Sequence, residues 1–491
     1  MASSMLLKHS ALYFAAIGLP GVVHLLALAI YTRLLSPEEY GQYALIIAGV
    51  GLANVVVFRW LNLGLLRFIA AYQGRQEVFL STVAAGFIGL LGLSGVICAI
   101  CLFFITNSQL RILWLIGLVL LWLQAFFDLN QELARTQFSP SRYGLLALIK
   151  AVASLIIGGL LAYIGWGALG LFFGTIAGTI SAALLVLKKE WCGVRLCFVD
   201  RELISQLCNY GLPLTATFAL GFVVNSSDRF LLGWLINTET AGLYSVGYDL
   251  AKNSLGMFMM VVNLAAYPLA VRAFEQKGTE AAQEQLSQNA TALLAIGLPA
   301  TTGFALLSPN IAAAFLGPDF SEYAANLMPW IICGALLAGI KSYYFDLSFQ
   351  LGSRTMMQVW ITLAAAALNV ALNLWWIPRF GIMGAAYSTV ATFALSLVLS
   401  WSLGRRIFPL LFPTRDLFKI TLATAVMIAV LVPFRDLHGN WILAGQLFMG
   451  TLVFGAMACF LDVGGIRSRS FQIFNEIRRY KLWRLLPSQR K

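Results

Sequence analysis

A chain of 491 residues that is 60% hydrophobic and 11% charged, with a mean hydropathy of +0.81, has too much apolar surface for a water-soluble core, so the composition excludes a soluble enzyme and demands lipid as solvent. Each membrane crossing takes about 20 apolar residues, which leaves room for about fourteen spans and short connections. The net charge of +12 and pI near 9.5 would suit nucleic acid, but the basic residues are dispersed among the connections instead of gathering on one soluble face, and that use is excluded too.

In chain order, apolar windows predict spans over 10–32, 42–66, 79–106, 112–134, 144–164 and 167–187. A polar connection with Lys188, Lys189, Arg195 and Arg201 follows, then spans over 209–236, 242–269, 289–315, 326–350, 357–377 and 381–403. A last pair covers 417–433 and 441–461. The expected class is an all-α polytopic membrane protein: a six-helix bundle over 1–200, a second over 201–404, a further helix pair over 405–461 and a basic tail over 462–491. In the tail Ile473, Ile477 and Tyr480 share one helical face, which predicts a surface helix on anionic headgroups. Within the first span Ala27-Leu28-Ala29 imitates a signal-peptidase site, but the run is of full span length and is read as retained.

Alternate connections separate by charge. One set holds Lys8, Arg67, Arg75, Arg135, Arg142, the 188–201 cluster, Arg272, Lys277, Arg354, Arg405, Arg406, Arg415, Lys419 and the basic tail. The other holds only Arg33, Arg111, Arg379 and Arg435. The excess marks the cytoplasmic side and places both termini there. The seven cysteines show no disulfide framework, and the Cys192/Cys197 connection has no histidine to complete a zinc site, so no metal is expected.

Short stretches recur. Residues 34–43 match 235–244 at an offset of 201, with Glu38, Gly41 and Tyr43 meeting Glu239, Gly242 and Tyr244. Gly167-Ala168-Leu169-Gly170 with Thr175 matches Gly381-Ile382-Met383-Gly384 with Thr389 at an offset of 214, and Ser141-Arg142 matches Ser353-Arg354 at 212. Repeats of six spans enter the membrane in the same sense and enclose a cavity between them, a transporter design.

Ionisable groups in a span cost about 2.5 to 3.5 kcal/mol each on insertion scales and are candidates for function. The cations are Arg59, Lys150, Arg229, Lys252 and Lys341; the acids are Asp128, Glu132, Asp228, Asp249 and Asp346. Asp249 and Lys252 share a helical face and are expected to neutralise each other or to line a cavity, whereas Arg59, Lys150 and Lys341 have no local partner. Cations in a low-dielectric cavity suit a phosphate or pyrophosphate, so these five are the candidate substrate-binding residues. His24 is expected to be a hydrogen-bonded interhelical donor, and Trp60, Tyr248, Tyr343, Tyr344, Trp375 and Trp376 are available to stack on sugars or to line the membrane interface.

Tyr31-Thr32-Arg33-Leu34-Leu35-Ser36-Pro37-Glu38-Glu39-Tyr40-Gly41 and Asp228-Arg229-Phe230-Leu231-Leu232-Gly233, leading to Ala241-Gly242-Leu243-Tyr244-Ser245, resemble the Wzx-type polysaccharide flippases of the multidrug/oligosaccharidyl-lipid/polysaccharide (MOP) exporter superfamily, over essentially the whole chain. The resemblance implies a secondary transporter of the bacterial inner membrane that turns an undecaprenyl-pyrophosphate-linked oligosaccharide to the periplasmic face by alternating access, alongside polymerase and other assembly proteins. It also implies drive by a proton or sodium gradient, with Asp128, Glu132, Asp228 and Asp249 as ion carriers and no other cofactor. Alternatives are a lipid II flippase, a multidrug antiporter of the same fold, and a membrane glycan polymerase or ligase; the last needs a sizeable external loop, and ATP hydrolysis lacks a Walker A motif.

Overall fold

The computed structural model describes residues 2–467 apart from 73, 138, 192, 196, 197 and 466, with side chains from residue 18 on except also 140, 186–190 and 265. Cys192, Cys197 and nearly all of the basic tail, with the surface helix expected there, lie outside the described residues.

The helices run α1 (Ala2–Leu34), α2 (Pro37–Phe68), α3 (Gln76–Phe104), α4 (Ser108–Thr136), α5 (Pro140–Leu161), α6 (Gly167–Glu190), α7 (Arg201–Leu235) and α8 (Thr238–Lys277). They continue as α9 (Thr279–Leu306), the short α10 (Ser308–Phe315), α11 (Pro318–Ile340), the short α12 (Leu347–Leu351), α13 (Met356–Phe380), α14 (Ile382–Gly404), α15 (Thr414–Leu431) and α16 (Asn440–Phe460). Among the described residues there is no strand. Among the described residues twelve stretches are long and apolar enough to cross a membrane. One of them, Ser141–Leu185, doubles back between α5 and α6, and α1 adds an apolar Gly18–Leu34, which together make fourteen crossings.

Local sequence explains where the helices start. Ser36 caps α2 in a reciprocal box with Glu39, and Pro37 takes the first helical position, where its missing N–H is no loss. Asn107, Asp200 and Asn237 cap α4, α7 and α8 through their side-chain oxygens. The sharp reversals into α6 and α14 occur at Gly167 (φ +52) and Gly381 (φ +58), a left-handed conformation that a Cβ would strain. These two glycines open the matched Gly167–Gly170 and Gly381–Gly384 stretches, so the similarity of sequence there is a similarity of backbone.

Ala27 and Leu28, inside the signal-site lookalike, are buried in the main apolar cluster together with residues of α8 and α11. Helices α1–α6 meet α7–α14 chiefly along two seams. In the first, α2 lies antiparallel to α7 for its whole length: Leu45 packs on Gly233, Phe222 on Gly51, Leu207 on Gly64, and the Trp60 carbonyl sits where a Cβ of Gly211 would be. Without competing solvent, helices associate by such close packing at small residues. The second seam runs along α8: its first turn meets that of α2, where a Cβ at Gly41 would overlap the Thr238 carbonyl, and α8 also lies beside α1, where a Cβ at Gly21 would stand 3.2 Å from the flexible Met257 thioether.

Candidate functional site

Between the two sets of helices lies a gap of about 550 Å³ walled by Asn54, Arg59 and Asn62 of α2, Asp128 of α4, Phe218 and Asn225 of α7, and Lys252 of α8. It shares Asn54, Phe222 and Ser226 with a 410 Å³ cavity reaching Gln124, Thr175 and Arg229. Gln124 and Thr175 in turn border a 330 Å³ cavity inside the first bundle, which holds His24, Tyr31, Tyr43 and Lys150. On the other side, Asn225 and Lys252 lead to a 270 Å³ cavity with Tyr248, Met259, Tyr343 and Phe393. The four spaces form a string from one bundle, through the gap, to the other.

The cations are placed as follows. Arg59 sits over the Phe218 ring across the gap, 4.7 Å from its centre, and its guanidinium is 3.6 Å from Glu132, which Arg135 approaches equally closely from the next turn of α4. Lys150 donates a short hydrogen bond to Gln124 Oε1 and rests 4.3 Å from the Phe127 ring centre. The other end of that amide donates to Asp128 at 2.7 Å, and Asn54 donates to the same carboxylate at 2.6 Å. Gln124 therefore bridges an ion pair that never touches.

Arg229 is bound to Asp249 at 2.5 Å. This corrects the expected pairing on α8: Asp249 reaches across to α7, and Lys252 is left to Asn225 Oδ1 at 2.7 Å and the face of Tyr248 at 5.0 Å. Lys341 is corrected as well. It does have a local partner, Asp346, at 2.6 Å. Residues 341–345 form a π-turn in which the Asp346 N–H bonds to the Lys341 carbonyl, and that wider turn puts i and i+5 on one face, where regular helical spacing predicts separation. Ser400 donates to the second Asp346 oxygen at 2.7 Å, which completes a closed cluster bordering none of the four spaces. His24 departs from expectation too: among the described residues it makes no hydrogen bond, and it borders the first-bundle cavity.

Four cations thus face the string of cavities, and three carboxylates (Asp128, Glu132 and Asp249) answer Lys150, Arg59 and Arg229. Of the four, Lys252 has only neutral hydrogen-bond and ring partners among the described residues, where the gap meets the cavity of the second set.

Asp228 stands apart. It is 1% exposed, and its carboxylate accepts from Tyr244 OH at 2.6 Å, Thr389 Oγ1 at 2.7 Å and Asn373 Nδ2 at 2.6 Å. Asn369 accepts from Asn373 at 3.1 Å and from Ser227 at 2.8 Å, while Asn373 Oδ1 is buried without a partner. This oxygen-rich cage with one carboxylate suits a proton or a hard cation. A search for charged residues finds Asp228 but misses Tyr244, Asn369, Asn373 and Thr389, because neutral side chains carry little insertion cost. The signal that points to them is Tyr244 and Thr389 lying inside the two matched stretches. Of the aromatic candidates, Tyr248 and Tyr343 border the string, Trp60 and Tyr344 are buried in packing, and Trp375 faces outward.

A family model described as polysaccharide biosynthesis protein matches residues 30–325. A protein of Haloferax volcanii named as a low-salt glycan biosynthesis flippase is 23% identical over 252 residues, which is 51% of this chain and 52% of that one. A protein of Shigella flexneri described as an O-antigen transporter is 20% identical over 417 residues, 81% of this chain and 97% of that one. Among solved structures, the lipid II flippase MurJ in an inward closed conformation superposes with a TM-score of 0.78 at 16% identity, covering 92% of this chain and 99% of that one. An inward-facing MATE-family multidrug transporter of the MOP superfamily gives 0.62 at 14% identity, covering 80% and 97%. With its family model matched over more than half its length, this chain belongs to the polysaccharide biosynthesis protein family, built on the fold shared by MurJ and the MATE transporters.

Proposed function

We propose that this protein is a flippase for an undecaprenyl-pyrophosphate-linked oligosaccharide, carrying it from the cytoplasmic to the periplasmic leaflet of a bacterial inner membrane by alternating access, with both termini cytoplasmic. The observation that carries the reading is the gap between the two sets of helices, with Arg59 of one set and Lys252 of the other in its walls. A pyrophosphate leaving water needs charge-assisted donors, and a donor from each set lets the anion draw the two together. Lys252 takes the leading role, since a cation without a carboxylate need not first be released. Arg59 comes next, because its 3.6 Å separation from Glu132 is loose enough to be exchanged. Arg229 and Lys150 extend the positive wall, and Tyr248 and Tyr343 offer faces to sugars. The α1–α8 seam, where Gly21 faces the flexible Met257 side chain, gives the polyprenyl tail a way to stay in lipid while its headgroup is inside.

Transport requires a source of energy, and we assign the coupling ion, H⁺ or Na⁺, to the Asp228 cage, where Thr389, Asn369 and the unpartnered Asn373 oxygen are the added donors. Asp128, Glu132 and Asp249 are engaged with chamber cations and act by neutralising them. The polymerase and other assembly proteins of the same polysaccharide are the proposed partners. The test is a deletion strain assayed for lipid-linked repeat units. Accumulation on the cytoplasmic leaflet, reversed by the intact gene and not by Lys252→Met, is expected. An arrest of wall growth with lipid II accumulating would replace this substrate by lipid II.

A further inference from the structure

Arg33 is a basic residue on the sparsely charged side, where the distribution of lysine and arginine gives no reason for it. Its guanidinium leaves α1 and reaches the last turn of α10 in the other set of helices. Nη1 donates to the Phe315 carbonyl at 2.8 Å and to its own Ala29 carbonyl at 2.6 Å, and Nη2 donates to the Ala314 carbonyl at 3.0 Å. The final carbonyls of a helix have no partner within it and carry partial negative charge, so Arg33 acts as a cap supplied by the opposite set. Thr32 adds to the contact: its Oγ1 accepts from Gly317 N–H at 3.0 Å, and only a glycine fits at 317 because the Thr32 carbonyl occupies the place of a Cβ.

A second contact joins the two sets at the same end. A Cβ at Gly41 would overlap the Thr238 carbonyl, and one at Gly242 would overlap the Pro37 carbonyl, so the first turns of α2 and α8 touch reciprocally, backbone to backbone. That clasp has shape and no directional bonds across it, whereas Arg33 supplies charge-assisted bonds to exposed carbonyls that water can replace. Helix α10 is itself tied onward, with Asn310 donating to the Arg435 and Leu437 carbonyls in the α15–α16 turn and to Gln446 of α16.

We propose that Arg33 and the C-terminus of α10 form a latch that holds this end of the chamber shut, and that opening toward this face begins when the guanidinium leaves the Ala314 and Phe315 carbonyls. The α15–α16 pair, through Asn310, is the anchor that keeps α10 in place to receive it. The proposal rests on the reading of the gap as a chamber open alternately to the two faces.

The test places a single cysteine at Ser226, in the wall of the gap, in a chain with its seven native cysteines replaced, and measures labelling by a membrane-impermeant maleimide from each face, in intact cells and in inverted vesicles. Arg33→Ala is expected to speed labelling from the latched face about tenfold, as loss of a hydrogen bond to a charged group would, with Arg33→Lys intermediate. Labelling from the opposite face alone, unchanged by either variant, overturns the latch and leaves the chamber standing. Absence of labelling from both faces in every chain overturns the chamber, and the latch with it. Hydrogen exchange on the purified protein with native cysteines gives a second readout, deciding the matter if the cysteine-free chain does not fold. Segment 308–320 should exchange about tenfold faster in Arg33→Ala while 207–222 of the α2–α7 seam is unchanged. Equal exchange in 308–320 overturns the proposal.

Discussion

The two sets of helices contain one polar pair in duplicate and use it differently. In the first, Tyr43, two residues after Gly41, stands 3.4 Å from Thr175, eight residues after the left-handed Gly167. In the second, Tyr244, two residues after Gly242, stands 3.4 Å from Thr389, eight residues after the left-handed Gly381. Around the second pair the space is filled by Asp228, Asn369 and Asn373. Around the first, subtracting the matched offsets of 201 and 214 from Asp228 and Asn373 gives Ala27 and Gly159, and the Tyr43–Thr175 pair borders the open cavity that holds Lys150. The same frame thus hosts a buried carboxylate cage on one side and, on the other, a cavity bordered by Lys150. In the proposed mechanism the ion is held within the second set alone, whereas the substrate gap is walled by both sets, joined along α2 with α7 and α8.

The sharpest attack on that division is Asp228→Asn, which keeps the shape and removes the charge. A coupling free energy of about 3 kcal/mol is expected to vanish, equivalent to about 100-fold in gradient-driven export. Export that responds to the gradient as before, measured in vesicles with imposed H⁺ or Na⁺ gradients, would show that the cage is structural.

Lys341→Met comes next and should damage folding instead of transport. It strands the buried Asp346 carboxylate, at a cost of about 3–5 kcal/mol, and Asp346→Asn in the same chain should restore most of it. The measure is the amount of folded protein in the membrane and its thermal unfolding in detergent. A stable Lys341→Met protein that fails only in export would put Lys341 back among the substrate contacts.

In the gap, Lys252→Met removes charge-assisted bonds worth about 1.5–3 kcal/mol, so a 10- to 100-fold drop in export at normal protein level is expected. Full export from this variant would move the anion site elsewhere on the string.

The smallest effect is the most direct test of the comparison itself. Tyr244→Phe takes a 2.6 Å donor from a buried carboxylate and should destabilise by about 2 kcal/mol, whereas Tyr43→Phe loses a long, weak contact and should cost about 0.5 kcal/mol. Equal shifts in unfolding temperature for the two variants would mean that the duplicated pairs are energetically alike and the asymmetry has no consequence.

Much of this was readable in the linear chain. Apolar runs must cross lipid as helices because backbone groups have no other partner there, so the number and nature of the spans followed from composition; the helices start earlier than the apolar windows, at the caps Ser36 and Asn237, because a polar cap carries no hydropathy signal. Charges inside spans were visible because their insertion is costly, which brought Arg59, Lys150, Arg229, Lys252 and Asp228 into view. Which charge answers which was not readable. Glu132 reaches Arg59 from another helix, Asp249 leaves Lys252 for Arg229, and a π-turn joins Lys341 to Asp346. Helical spacing constrains neighbours on one helix, but a long side chain in low dielectric takes whichever opposite charge or amide the packing of other helices brings within reach. The sequence therefore determined that these charges are buried; only the tertiary structure decided that Arg59, Lys150, Arg229 and Lys341 each have a carboxylate to answer them, that Lys252 is left with neutral partners in the gap, and that Asp228 lies buried behind Thr389.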